Sequence, residues 1–182
     1  MRHRLSFVFA LVATLVAAPV TAQLTVEVHG SFGITNVHIT GFSGSDVLDS
    51  DKATSGAHAQ LFFGNAVERA PILGVELGYQ YLFFYEFAQG ANAIEQGVDA
   101  VRAMVVGRVP LGGGEIWAEG AAGAYRVEGS TSAAVGAGVA MTIRVAPTVQ
   151  IPLRLRTDVV LDSNATIVPV MASMGLSVAI GG

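Results

Sequence analysis

Glu27, His29 and Ser31 stand at two-residue intervals and carry the side-chain types of acyl-transfer chemistry, an acid, a base and a hydroxyl nucleophile. In an extended strand all three share one face, and residues two apart lie roughly 7 Å from one another. That separation exceeds a hydrogen bond, so the spacing predicts three side chains on one wall and no working triad. A second constellation is larger. Glu27, Glu76 and Glu119 fall early in three strand-like segments, while Arg102, Arg108, Arg144 and Arg154 occupy alternate positions of segments between and beside them. Acids and arginines that line one enclosed interior must pair, because an unpaired buried charge is costly. The pattern therefore predicts a structural ion-pair lattice over Glu27, Glu76, Arg102, Arg108, Glu119, Arg144 and Arg154. Left unfilled, the same lining would be a narrow pore.

Other motifs point to no cofactor or metal. Asp49-Ser50-Asp51 begins like a calcium loop, but Thr54 stands where that loop needs glycine and Gln60 where it needs glutamate. Gly112-Gly113-Gly114 is followed by Glu115, without the Lys-Ser/Thr of a phosphate cradle, and Gly136-Ala137-Gly138 lacks a dinucleotide fingerprint. The chain has no cysteine, which excludes disulfides, thiolate metal sites and a cysteine nucleophile.

The elements that position these residues alternate with period two. Leu73, Val75, Leu77, Tyr79, Tyr81, Phe83 and Tyr85 share one face of a strand, opposite Gly74, Glu76, Gly78 and Gln80. Comparable segments run over Leu24–Ile34, His58–Val67, Val98–Val109, Glu115–Val127, Ala134–Val145, Val149–Val159 and Thr166–Ile180, which makes eight strands. Thr40–Gly56 and Glu86–Gly97 read as loops, as does the shorter Glu128–Ala133, while Glu68–Pro71, Pro110–Gly114 and Ala146–Thr148 read as turns. Loops thus follow odd strands and turns follow even ones. Trp117 and Glu119 fall on the same side of their strand, and Glu119 is placed inward.

Arg2, His3 and Arg4 precede an apolar run that ends at Val20-Thr21-Ala22, the form of a cleaved secretory signal over residues 1–22. Cleavage would leave one domain, 23–182. Removing Arg2 and Arg4 from the 10 basic and 14 acidic residues gives 8 − 14 = −6, with no basic patch to suggest nucleic acid. Mean hydropathy is +0.55, yet past residue 22 no apolar run approaches the roughly 20 residues of a spanning helix. Dispersed apolar residues, few charges and an export signal together predict an all-β, eight-stranded antiparallel up-and-down transmembrane barrel.

This pattern, with phrases such as Gly74-Val75-Glu76-Leu77-Gly78-Tyr79, resembles the small OmpA/OmpX-like outer-membrane β-barrel family over Leu24–Ile180. Two departures stand out: the chain ends Ala179-Ile180-Gly181-Gly182 where that family usually ends on an aromatic residue, and no peptidoglycan-binding domain follows. The resemblance implies a bacterial outer-membrane location, contacts with membrane lipid and lipopolysaccharide, delivery by the outer-membrane insertion machinery, a monomer, and a structural, adhesive or surface-interaction role without enzymatic activity. In that setting Tyr79, Tyr81, Phe83 and Tyr85 form the aromatic girdle. Three alternatives remain: the pore, a lipid A-modifying enzyme built on Glu27, His29 and Ser31, and a soluble exported barrel binding an apolar ligand. The soluble barrel would turn Leu73, Leu77, Tyr79 and Tyr81 inward, and the membrane barrel would turn them outward.

Overall fold

The computed structural model describes residues 24–39, 52–63, 72–87, 93–112, 115–127, 129–161 and 165–180. The signal-peptide reading of residues 1–22 lies outside them. Eight strands follow one another: β1 (Leu24–Ile39), β2 (Lys52–Phe63), β3 (Ile72–Phe87), β4 (Ala93–Leu111), β5 (Ile116–Val127), β6 (Ser130–Ala146), β7 (Val149–Leu161) and β8 (Ala165–Ile180). Each pairs antiparallel with its chain neighbour, and β1 closes on β8 from Leu24↔Ile180 to Ile39↔Ala165. Closure removes every sheet edge within the wall, so backbone groups are satisfied without water.

The registers define the barrel. Followed from strand to strand, Glu27 pairs with Gln60, then Glu76, Met104, Gly123, Ala134, Val160, Ile167 and finally Val37. One circuit thus climbs 37 − 27 = 10 residues along β1, which with eight strands tilts them about 40° from the barrel axis. An interior of this strand number is filled by side chains.

The period-two alternation decides which chemistry goes inside. Along β1, Thr25, Glu27, His29, Ser31 and Thr35 are buried, while Val28, Phe32 and Ile34 are exposed. Leu73, Val75, Leu77 and Tyr79 on β3 face outward, and Glu76 and Gln80 are buried. Val101, Val109, Val135, Val139, Met141, Leu155, Met174 and Leu176 continue the exposed apolar surface around the wall. The soluble reading is thereby corrected: the apolar face points out and the polar face lines the interior.

Three expectations about connections change. Lys52–Gly56, placed in the first loop, is strand, and so are Glu86, Phe87 and Ala93–Gly97 of the third connection. Of the loop expected after β5, Ser130–Ala133 is strand, and Gly129 just before it has φ +88°, a backbone geometry that favours glycine. Loops after odd strands are therefore unequal. Residues 40–51 and 88–92 of the two longer ones lie outside the described residues.

Candidate functional site: the charged interior

Among the described residues eight charged side chains are buried inside the barrel, and they balance: Glu27, Glu76, Glu119 and Asp158 against Arg102, Arg108, Arg154 and Arg156. The strands supply them from five directions. Arg108 of β4 donates to both oxygens of Glu27 on β1 at 3.0 Å and to Glu119 of β5 at 2.9 Å. Arg154 of β7 bridges the other two glutamates, donating to Glu76 Oε2 at 2.8 Å and from Nε to Glu119 Oε1 at 2.7 Å. Glu76 also accepts from Arg102 Nε at 2.6 Å and Arg156 Nη1 at 3.1 Å, and from the Gln60 amide. It is the most shared carboxylate of the set.

Neutral groups add further hydrogen bonds to the layer. Tyr125 donates to Asp158 Oδ2 at 2.5 Å and accepts from Arg102 Nη1 at 3.2 Å. Arg108 also lies over the Phe62 ring, its guanidinium carbon 4.2 Å from the ring centroid, which covers a cation face that no carboxylate reaches. His29 and His58 stack across β1 and β2 with centroids 4.5 Å apart. His58 Nε2 accepts from Arg154 Nη1 at 2.8 Å, since a guanidinium only donates.

Glycines on the inner face leave the volume that these side chains occupy. A Cβ at Gly136 would sit 2.0 Å from Asp158 Oδ1, and one at Gly78 would sit 2.9 Å from Arg102 Nε. Neither position admits alanine without moving an ion pair.

The register also layers the interior. Phe62, Ile72 and Trp117 are buried at the end where the chain enters at Leu24 and leaves at Ile180. Leu82, Val98, Val160 and Ile167 are buried at the opposite end, as the pairs Leu82↔Val98 and Val160↔Ile167. The charged layer lies between two apolar ones.

Six of the seven expected lattice residues, Glu27, Glu76, Arg102, Arg108, Glu119 and Arg154, are brought together in this layer. Arg144 is not. It is exposed beside Gln150, next to a register shift between Arg144 and Ala146. Alternation puts it on the inner face, but the barrel's stagger carries it past the end of the charged layer to the rim. Arg156 and Asp158 take part instead, with Arg156 Nε donating to Asp158 Oδ1 at 2.5 Å. Their signal was present as one inner face, Arg154-x-Arg156-x-Asp158.

Of the expected girdle, Tyr79 is exposed and donates to Asp99 Oδ1 at 2.5 Å, and Tyr81 is half-buried. The side chains of Phe83 and Tyr85 lie outside the described residues. These four climb one strand and do not circle the barrel; Phe32, exposed on β1 and linked through Ser55 to Tyr81, continues the aromatic level sideways.

The hydrolytic set is corrected in one respect and lacks a connection in another. Glu27 Oε2 and His29 Nε2 are 3.0 Å apart, because side chains lean along a strand and close the gap that Cα spacing suggests. The other ring nitrogen, His29 Nδ1, has no hydrogen-bond partner, so no imidazole nitrogen reaches Ser31. Among the described residues no group of three or more metal-ligating side chains is arranged to hold an ion.

No family model and no curated protein sequence matches the chain. Solved structures do. The attachment invasion locus protein Ail of Yersinia pestis, in complex with the heparin analogue sucrose octasulfate, matches with TM-score 0.55 at 12% identity, over 87% of this chain and 99% of that one. Neisserial surface protein A matches with TM-score 0.53 at 12% identity, over 85% and 96%. Both are small eight-stranded outer-membrane β-barrels of the OmpA/OmpX-like class. This chain has the same fold. As an outer-membrane-type barrel it places its balanced charges where such a wall must enclose them, and its apolar residues where such a wall meets hydrocarbon.

Proposed function

We propose that this protein is a bacterial outer-membrane barrel whose wall is a sealed scaffold and whose outward end makes surface contacts. The observation that carries this reading is the neutral layer of four carboxylates and four arginines held between apolar layers. Every charged group in it has a partner, so ions crossing the interior would have to displace several hydrogen bonds at once. The activity then belongs to the ends of the strands. A neighbour named for attachment, solved with a heparin analogue, supports an adhesive role of that kind.

On this reading the signal over residues 1–22 is cleaved, both termini of the barrel lie in the periplasm, and the insertion machinery delivers a monomer. Membrane lipid meets the exposed apolar belt, and lipopolysaccharide meets its outer margin near Tyr79 and Asp99. Planar-bilayer recording of the refolded protein tests the sealed interior. The expected result is no steady conductance from the wild type. Steady channels abolished by Glu76→Ala would overturn the sealed scaffold and establish the narrow pore.

A further inference from the structure

Among the described residues four charged side chains are exposed. Glu115 and Arg144 stand beside the turns at the end where the chain enters, whereas Asp99 and Arg126 stand toward the opposite end. Arg126 is one residue short of the end of β5 and pairs with Val101 of β4 and Thr131 of β6. Asp99 lies two residues from Val101 in the direction of that same end. Both alternate outward with the exposed Val101 and Tyr79, so they stand on the outer side of the wall, at the margin of its apolar belt.

Diagonal neighbours on adjacent strands are within reach of long side chains, yet no ion pair joins Asp99 to Arg126. Tyr79 of β3, which faces Val101 from the other side, donates to Asp99 Oδ1 at 2.5 Å and draws the carboxylate away from β5. Arg126 has no ion pair among the described residues. A carboxylate accepts more than one hydrogen bond and a guanidinium carries five donors, so each group keeps capacity for a third party. Beside hydrocarbon that capacity matters, because charge is costly at low dielectric until a counter-charge meets it.

We infer that Arg126 and Asp99 clasp a lipid headgroup in which a phosphate and a primary ammonium are joined by two carbons, a phosphoethanolamine. The inference rests on the reading of the apolar belt as lipid-facing, and it names the lipid chemistry met at the outer margin. Arg126 takes the phosphate, since a guanidinium fork matches two phosphate oxygens. The ammonium donates to Asp99, which Tyr79 holds one strand away from the arginine. Charge also selects against the other common headgroups. A phosphate without an ammonium satisfies Arg126 but is repelled by Asp99, and a quaternary choline brings a cation with no N–H to donate.

The test places the full chain in vesicles that mix a lipid brominated on its acyl chains with unbrominated phosphatidylcholine, and reads relative headgroup affinity from quenching of one tryptophan. In a Trp117→Phe background the probe is Ala122→Trp, two outward positions below Arg126 on β5, and the control is Val28→Trp on β1, across the barrel. Brominated phosphatidylethanolamine is expected to be favoured over brominated phosphatidylcholine by about threefold or more at the probe, and not at the control. Brominated phosphatidylglycerol, which has the phosphate alone, is favoured less than the ethanolamine lipid. Arg126→Gln and Asp99→Asn, both at exposed positions, each remove the preference. Equal affinity of ethanolamine and choline lipids at the probe would overturn the inference and leave the lipid-facing belt standing. So would equal affinity of glycerol and ethanolamine lipids, or a preference that survives either substitution. Unbrominated lipopolysaccharide bearing phosphoethanolamine, added as competitor, separates two sources of the headgroup: loss of the preference assigns the clasp to the glycolipid, persistence assigns it to the phospholipid, and both uphold it. No quenching of either tryptophan by any brominated lipid would overturn the membrane reading, and the inference with it.

Discussion

Glu76→Ala is expected to destabilise the folded barrel by about 3–5 kcal/mol, the cost typical of breaking a buried charge pair from one side. The substitution deprives Arg102, Arg154 and Arg156 of a shared acceptor and leaves four arginines facing three carboxylates. Phe62 and Trp117 below the layer and Leu82 and Val98 above it are all buried, so the excess charge is poorly screened. Denaturant unfolding in detergent micelles, followed by the heat-modifiable gel shift, measures the loss. Adding Arg154→Ala restores the balance of charge. The double variant is therefore expected to lose less than the sum of the two single losses, as groups in one network do. A loss near zero for Glu76→Ala would mean that the layer is hydrated, as a pore lining would be.

Leu77→Arg is expected to cost about 2–4 kcal/mol in a lipid bilayer, the penalty of an arginine on the lipid face near mid-depth. Leu77 is 65% exposed and pairs with Ala59 and Ala103, so it lies well inside the wall and has no acid beside it. In a water-soluble barrel the same exposed position would tolerate arginine within about 0.5 kcal/mol. Unfolding and refolding in phosphatidylcholine vesicles, compared between wild type and variant, separates the two environments. The expected losses differ in size between the two architectures, and the effect does not depend on the interior.

Facing was legible in the sequence and height was not. A period of two assigns each residue to a wall, and charge assigns the wall to the interior, which is why Glu27, Glu76 and Glu119 could be grouped without coordinates. Depth along the axis depends on pairing register and on the ten-residue climb per circuit, and no local pattern carries that information. Arg144 shows the consequence: its face was readable, but its place at the rim was not. Arg156 and Asp158 were readable as neighbours on one face, yet their bond depends on side chains leaning toward each other over a two-residue step. Strand ends were obscured for another reason. Glu86–Gly97 is polar and small enough to read as loop, and only pairing between β3 and β4 carries the ladder to Phe87↔Ala93.

Depth-dependent fluorescence quenching tests the central claim, an apolar wall in lipid around a closed polar interior, most directly. The chain has a single tryptophan, Trp117, buried on the inner face. In vesicles of brominated lipid, Trp117 of the wild type is expected to be quenched weakly. A tryptophan introduced by Leu77→Trp in a Trp117→Phe background should be quenched strongly, most of all by bromines near the bilayer centre. Quenching of the Leu77→Trp probe no greater than that of Trp117 would contradict the claim.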